Sequence, residues 1–213
     1  NTVGTAPTRK DTSVDTRNLR LVAIGDELLA GHGDPRALGW FGRVLAKTPR
    51  EGLELSPYVL ASPQETTEHL AERWLPEAKR RFDSDGDNRL IVALSGADEA
   101  TGLSTARSRL NLANILDAAT QLSLSAFVVG PPPTLDAARN ARLGQLSTAF
   151  GDVTTRRNHF YVDTFTPLEH HEQWRADLAA NHGMPAQQGH GLMAWLVLHR
   201  GWYPWLGVNE PAS

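Results

Sequence analysis

Five short apolar segments divide the chain at regular intervals. They span residues 19–24, 53–60, 89–94, 126–129 and 160–162. Most of them show no strict alternation of apolar and polar side chains, and turn-forming residues such as Gly, Pro and Ser follow them. Short continuous apolar runs of this kind are typical of strands that are covered on both faces. The pattern therefore predicts five buried strands.

Between these segments, apolar residues recur at every third or fourth position, which predicts amphipathic helices. The predicted helices span residues 37–47, 66–82, 104–121, 135–150, 169–180 and 187–199. In the second of them, Leu70, Trp74 and Ala78 share one face, and Pro76 predicts a break or kink after Trp74. Strands that alternate with helices predict parallel pairing, with helices on both faces of one sheet. The fold class is therefore α/β, a three-layer α/β/α sandwich with a five-stranded parallel sheet.

Composition fits one domain and narrows the range of partners. The chain has 213 residues, of which 40% are hydrophobic and 21% charged, and its formal net charge is −3. A chain of this length buries a core without disulfides or metals, and its weak negative charge argues against nucleic-acid binding. There are no cysteines, which excludes disulfides, thiolate catalysis and cysteine-based zinc sites. We expect a single domain over residues 19–213, preceded by a flexible lead-in over residues 1–18.

Neither a membrane-spanning segment nor a signal peptide is visible in the sequence. The apolar run over residues 192–198 is far shorter than the roughly 18–20 residues of a membrane span. Residues 1–18 are rich in threonine, serine and charge, and they lack the apolar stretch of a signal peptide. We therefore expect a cytoplasmic protein without an integral membrane segment.

Four short motifs stand where a parallel sheet places its ligands, beyond the carboxyl ends of the strands or just before the last helix. The first, GDELLAG at residues 25–31, directly follows the first strand. The second is PQETT at residues 63–67, and the third is SGAD at residues 95–98. The last, NHGMPAQQGHG, covers residues 181–191. Because the strands are parallel, we expect all four motifs to converge at one edge of the sheet.

In their order and positions, these motifs resemble the sequence blocks of the GDSL (SGNH) hydrolase family. The matching family blocks are GDSLxxG, PGETT of actinobacterial-type members, GxND, and DxxHP followed by a glycine. The resemblance extends from about residue 19 to residue 205. It implies a flavodoxin-like α/β/α fold and hydrolysis of acyl esters. In such an enzyme a serine attacks, a histidine oriented by an aspartate acts as base, and a serine amide, a glycine amide and an asparagine side chain hold the oxyanion.

The chain departs from the family at every one of these catalytic positions. The positions of the Ser, Gly, Asn, His and Asp are occupied by Glu27, Gln64, Ala97, Met184 and Asn181, respectively. A thioether takes up no proton near neutral pH, and a methyl group donates no hydrogen bond. A base and an oxyanion donor each contribute roughly 10² or more in rate. The resemblance therefore implies a degenerate hydrolase, a pseudoenzyme with a binding or regulatory role and no catalytic residue.

If the chemistry is lost, the former active-site cleft remains as a place for binding. The candidate ligand-binding residues are Asp26, Glu27, Gln64, Asp98, His182 and Met184. The expected occupant is a protein partner or a small apolar ligand, with no cofactor and no metal. We further expect the Glu27 carboxylate to accept hydrogen bonds from its own amide, from the Gln64 amide and from the Gln64 side chain. It would then mimic the oxyanion.

Other interpretations remain open at this level. An acyl-ester hydrolase with a rearranged site would use Glu27 as nucleophile, or His182 as base with Asp177 or Glu172 orienting it. A calcium loop at residues 83–94 is disfavoured because Leu94 stands where a bidentate glutamate is needed. A nucleotide-binding module is disfavoured because the chain has no phosphate-binding glycine loop.

Overall fold

The computed structural model describes residues 15–213 and contains the five predicted strands. They are β1 (Arg17–Gly25), β2 (Leu53–Ala61), β3 (Asp87–Ala93), β4 (Ser125–Val129) and β5 (Phe160–Val162). All neighbouring strands pair in parallel, in the order β2-β1-β3-β4-β5. This order is that of flavodoxin-like folds and confirms the predicted fold class. The sheet begins at Arg17, two residues inside the predicted lead-in, and residues 1–14 of that lead-in lie outside the described residues.

Helices connect these strands and cover both faces of the sheet. They are α1 (Gly39–Ala46), α2 (Thr67–Lys79), α3 (Ala97–Ala100), α4 (Thr105–Gln121), α5 (Ala137–Thr155), α6 (Phe165–Leu168), α7 (Glu172–Ala180), α8 (Gln187–Val197) and α9 (Tyr203–Leu206). The helices α3, α6 and α9 have four residues each and show no periodicity that the sequence could reveal. Within residues 15–213, no helix has the length and apolar character needed to cross a bilayer.

The two faces of the sheet carry separate hydrophobic cores. Leu21 and Ala23 of β1 belong to the core that β1 shares with α1, α7 and α8. Val22 and Ile24 belong to the core formed with α2, α4 and α5. All four side chains are fully buried. Strands that are buried on both faces need no polar positions, which explains why the sequence of β1 does not alternate.

Of the break or kink predicted after Trp74, the break is wrong, because α2 runs without interruption from Thr67 to Lys79. A proline inside a helix removes one backbone hydrogen bond and crowds the preceding turn. This cost is offset by packing, since Leu70, Trp74 and Ala78 are all buried against the second core. Tertiary burial therefore overrides the local preference.

The last predicted helix, by contrast, changes course near its end. After α8, a π-helical segment (Leu198–Trp202) contains non-helical backbone at Arg200 and Gly201. Gly201 has a φ of 122°, and a Cβ there would lie 2.7 Å from the Phe160 ring, so only glycine fits. The turn buries Trp202 completely, whereas Trp195 of α8 remains 55% exposed.

The carboxyl edge of the sheet has a crevice where the chain direction reverses. β1 leads to β2 on one side, and β3 leads to β4 and β5 on the other, so the crevice lies between β1 and β3. The loops that follow these strands line this crevice, and the loop between α7 and α8 closes it. Gly33 brings the β1–α1 loop against that closing loop, because a Cβ on Gly33 would lie 2.4 Å from the Pro185 carbonyl oxygen.

Candidate functional site

A cleft of about 480 Å³ occupies this crevice. Its lining comes from the loops after β1, β2, β3 and β4 and from the α7–α8 loop. The structure brings five of the predicted site residues to the cleft: Asp26, Glu27, Gln64, Ala97 and Met184. Three others, Asn181, Asp98 and His182, do not line it.

The most direct polar contact in the cleft joins Glu27 to Gln64. The backbone N–H of Gln64 donates to the Glu27 carboxylate, with 2.8 Å between N and Oε2. Gln64 has a φ of 53°, a left-handed conformation that glycine adopts at little cost and most other residues avoid. The backbone at this position thus has a conformation that favours glycine, although the residue is glutamine. Two further donors to this carboxylate were expected, the Glu27 amide and the Gln64 side chain. Among the described residues, neither donates a hydrogen bond to it.

Asp26 lies beside Glu27 and is 7% exposed. One of its oxygens accepts a hydrogen bond from the Leu28 amide at 3.1 Å. Burial, and secondly the adjacent Glu27 charge, raise the pKa of Asp26 to about 7. Asp26 therefore keeps its proton below about pH 7, which lowers the negative charge of this end of the cleft.

Where β3 leads into α3, the hydrogen-bond donors are engaged within the protein. The Ala97 amide donates to the Ser95 hydroxyl at 3.1 Å, and that hydroxyl donates to the Glu65 carbonyl oxygen at 3.1 Å. The Ala97 methyl group leaves this wall of the cleft without the side-chain amide that the family's asparagine would supply.

Asp98 is buried and connects two helices instead of facing the cleft. Its carboxylate accepts hydrogen bonds from the Thr67 amide at 2.8 Å and from the Thr67 hydroxyl at 2.6 Å. Both oxygens are therefore engaged where α2 begins, and the side chain is 2% exposed. The aspartate of this motif therefore has a structural role, and it does not contact the cleft.

Asn181 fastens the closing loop to the β1–α1 loop. Its side-chain amide donates to the Gly33 and Met184 carbonyl oxygens, each at 3.1 Å. An aspartate here would place a carboxylate against two carbonyl oxygens and would lose both hydrogen bonds. The loop is thus built for an amide at this position, while the Met184 side chain lines the cleft.

The alternative base His182 lies outside the cleft. It is exposed, with a φ of 56°, and the cleft lining described for residues 15–213 includes no histidine. Asp177, which was expected to orient it, accepts hydrogen bonds from the Ala186 and Gly189 amides at 2.7 Å each. Glu172 is an exposed first-turn residue of α7. The structure therefore does not assemble the rearranged base.

Several cleft residues were missed by the sequence interpretation. Arg139 lines the cleft, and its Nε donates to Glu99 at 2.8 Å. Asp136 caps α5 through the Ala138 and Arg139 amides, which sets Arg139 in the first helical turn at the sheet edge. The aspartate after the GPPP segment was the signal that could have placed it there. The apolar wall includes Leu28, Pro132, Pro133, Trp174, Leu178 and Pro185.

A second missed residue, His190, supports the cleft from behind. It is fully buried. Its Nδ1 accepts a hydrogen bond from the Trp40 amide at 3.0 Å, and its Nε2–H donates to the His32 carbonyl oxygen at 2.9 Å. Burial lowers the pKa of His190, which favours the neutral ring that both hydrogen bonds require. His190 thereby joins α8 to the loop that carries Glu27.

The sequence motifs and this geometry agree with a family assignment for the whole domain. Residues 23–199 match the GDSL-like Lipase/Acylhydrolase family, and the chain therefore belongs to that family. This confirms the resemblance carried by the four motifs. None of the curated proteins matches the chain.

Solved structures share the fold at low sequence identity. The lipase/acylhydrolase from Enterococcus faecalis is 19% identical with a TM-score of 0.72, covering 91% of this chain and 99% of its own. The acetylxylan esterase Axe2 from Geobacillus stearothermophilus is 16% identical with a TM-score of 0.70, covering 92% and 99%. The psychrotrophic esterase EstA from Pseudoalteromonas sp. is 16% identical with a TM-score of 0.67, covering 88% and 98%.

Proposed function

We propose that this protein is a non-hydrolytic member of the GDSL family that binds a ligand or a protein partner in the cleft. The observation that carries the proposal is the 2.8 Å hydrogen bond from the Gln64 amide to the Glu27 carboxylate. Glu27 stands at the position of the family's nucleophile, and Gln64 at that of its glycine oxyanion donor. A carboxylate on that amide occupies the place of the oxyanion, so the donor is not free for a reacting carbonyl.

The closing loop supports the same proposal. Met184 stands at the position of the family's base and offers an apolar side chain to the cleft. Asn181 stands at the position of the orienting aspartate and donates to two carbonyl oxygens. Both substitutions fit their surroundings, so this loop is consistent with a stable binding cleft.

A second candidate function is hydrolysis of acyl esters by a rearranged site. The family match and the esterases of the same fold favour it. It requires a base within hydrogen-bond reach of the nucleophile, and His182 would have to move into the cleft to serve. Asp177 would also have to leave the start of α8 to orient it.

The two candidates are separated by assaying the purified protein with short p-nitrophenyl esters and with a fluorophosphonate label. We expect no turnover above the buffer rate and no covalent adduct, because no serine stands at position 27. Glu27→Ala serves as the matched variant. Turnover that the wild type shows and Glu27→Ala loses would refute the binding function and establish Glu27 as a catalytic residue.

Restoring the serine nucleophile alone tests whether the rest of the cleft can support hydrolysis. We expect Glu27→Ser to remain inactive, because Met184 supplies no base and Ala97 no side-chain donor. Adding Gly, Asn, His and Asp at positions 64, 97, 184 and 181 is expected to give weak esterase activity. Efficient hydrolysis by Glu27→Ser alone would show that another histidine acts as base, with His182 the first to be replaced.

A further inference from the structure

Opposite the carboxyl pair, one cationic side chain, Arg139, stands among the described residues that line the cleft. Arg139 belongs to α5, which follows β4, whereas Asp26 and Glu27 follow β1. One strand, β3, separates β1 from β4, so the two ends lie roughly 10 Å apart at the usual strand spacing. The cleft is therefore acidic at the β1 end and basic at the β4 end.

Arg139 is held in place without being neutralised. Its Nε donates to one oxygen of Glu99 at 2.8 Å, and Arg142 binds the other oxygen. Burial raises the pKa of Glu99, but the two guanidinium groups outweigh that effect and hold its pKa below the usual range. Glu99 is thus ionised, and the group of three side chains carries one net positive charge.

The terminal nitrogens of Arg139 extend to the cleft. A Cβ on Gly96 would lie 3.5 Å from Nη2 of Arg139, and both residues line the cleft. Among the described residues, the side-chain hydrogen bond and the ion pair of Arg139 both use Nε. The guanidinium therefore retains two Nη groups for a ligand, and Nη2 lies close to Gly96.

We infer that the cleft binds an amphipathic carboxylate, whose anionic head pairs with Arg139 and whose apolar chain packs on the half-buried Leu28, Pro132 and Met184. The inference rests on the proposed binding function and adds the chemical class of the ligand. A planar guanidinium with free terminal nitrogens suits a carboxylate, because two parallel N–H···O bonds can form. Glu27 repels an anion at the β1 end, which fixes the direction of binding. The volume of about 480 Å³ suits a small organic molecule.

The test compares octanoate with octanamide, which has the same chain and no charge, by isothermal titration calorimetry on the whole protein. We expect octanoate to bind about tenfold more tightly than octanamide, because a charge-assisted pair replaces a neutral hydrogen bond. Arg139→Gln should remove this preference. Arg142→Gln is the matched control, since it removes the same charge from the same Glu99 but lies outside the cleft lining.

Each outcome decides the inference. A preference for octanoate that Arg139→Gln abolishes and Arg142→Gln retains supports it. Absence of octanoate binding, equal affinity for octanamide, or an equal loss in Arg142→Gln overturns it. Arg139→Lys, which keeps the charge but not the planar fork, should retain part of the preference and serves if Arg139→Gln does not fold.

The ester assay distinguishes failure of this inference from failure of the proposed function. Hydrolysis of p-nitrophenyl esters by the wild type would refute the binding function whatever octanoate does. Failure of octanoate to bind, without hydrolysis, would overturn the carboxylate ligand alone.

Discussion

Two sets of residues surround the cleft, and they differ in how their polar atoms are satisfied. The polar frame consists of Asp34, Glu65, Asp98 and His190, all buried and all hydrogen-bonded within the protein. The cleft floor consists of Glu27, Gln64, Ala97 and Met184, which are half-buried or exposed. The frame residues join separate loops and helices, whereas the floor residues line open space.

If the protein is non-hydrolytic, as we propose, this difference explains how the family match persists. Asp34 accepts hydrogen bonds from the Gly39 amide at 2.9 Å and from Arg43, and it thereby shapes the loop after β1. Glu65 binds Arg73, whose guanidinium also donates to the Leu60 carbonyl oxygen at 3.0 Å. Such contacts set the backbone of each motif. Any reaction would depend on the side chains of the floor. These side chains can vary because they do not determine the backbone of the motifs.

The largest expected effect is therefore in the frame. Asp34→Ala removes the acceptor of the Gly39 amide and leaves Arg43 with only the Gly39 carbonyl oxygen, and we expect a loss of about 3 kcal/mol in the free energy of unfolding. Ala97→Asn on the floor should change it by less than about 1 kcal/mol. Urea unfolding of both variants measures the contrast. Equal losses would break the distinction between frame and floor.

The second prediction concerns His190. His190→Phe leaves the Trp40 amide and the His32 carbonyl oxygen unpaired in a buried place, so we expect a loss of about 2 kcal/mol at pH 8.

The same residue should give the protein a pH dependence. Because burial holds the folded-state pKa of His190 below its usual value, its contribution is present above about pH 6.5 and is lost as the pH falls through the folded-state pKa. His190→Phe should lack this component when unfolding is followed between pH 8 and pH 5. An unchanged pH profile would show that the pKa of His190 does not differ between the folded and the unfolded state.

Much of this fold was readable from the sequence because burial on both faces leaves a strong pattern. The strand positions agree with the structure to within two residues at each end. Errors arose where packing overrides local preference, as at Pro76, or where a single glycine bends the chain, as at Gly201. Four-residue helices are too short to produce a periodicity.

The site was readable only in part. The motifs predicted that Glu27, Gln64, Ala97 and Met184 meet in one cleft, and they do. The prediction was possible because each motif follows a strand or precedes a helix at the same edge of the sheet. Arg139 carries no motif, and its place depends on where α5 begins and on its contact with Glu99. Contacts of this kind depend on how separate elements pack together, and no spacing of residues in the sequence predicts them.

The third prediction concerns Asp26, which is buried like the frame but lines the cleft. Its folded-state pKa is raised to about 7, so its stabilising effect is complete below about pH 4 and is lost as the pH rises to 7. Asp26→Asn keeps an oxygen for the Leu28 amide and carries no charge. We expect it to stabilise the protein at pH 8, where the wild-type carboxylate is ionised, and to have little effect at pH 4. Destabilisation at pH 8 would indicate that the ionised carboxylate is needed.

The smallest expected effect is at Gln64, where floor and backbone meet. A non-glycine residue at a φ of 53° costs about 1 kcal/mol, and glycine would remove that strain but would gain a similar amount of entropy in the unfolded chain. We therefore expect Gln64→Gly to change the free energy of unfolding by less than about 0.5 kcal/mol. The hydrogen bond to Glu27 uses the backbone amide and survives.

Gln64→Val is the matched control, because a β-branched side chain tolerates this backbone poorly and should destabilise by about 1–2 kcal/mol. Both values come from thermal or urea unfolding at one pH. A gain of more than about 1 kcal/mol in Gln64→Gly would mean that Gln64 carries unrelieved strain, which points to a role for its side chain at the cleft. A change near zero would mean that the surrounding structure fixes the backbone at position 64, as it fixes the frame. The exposed side chain of Gln64 would then be free to vary, as the floor residues are.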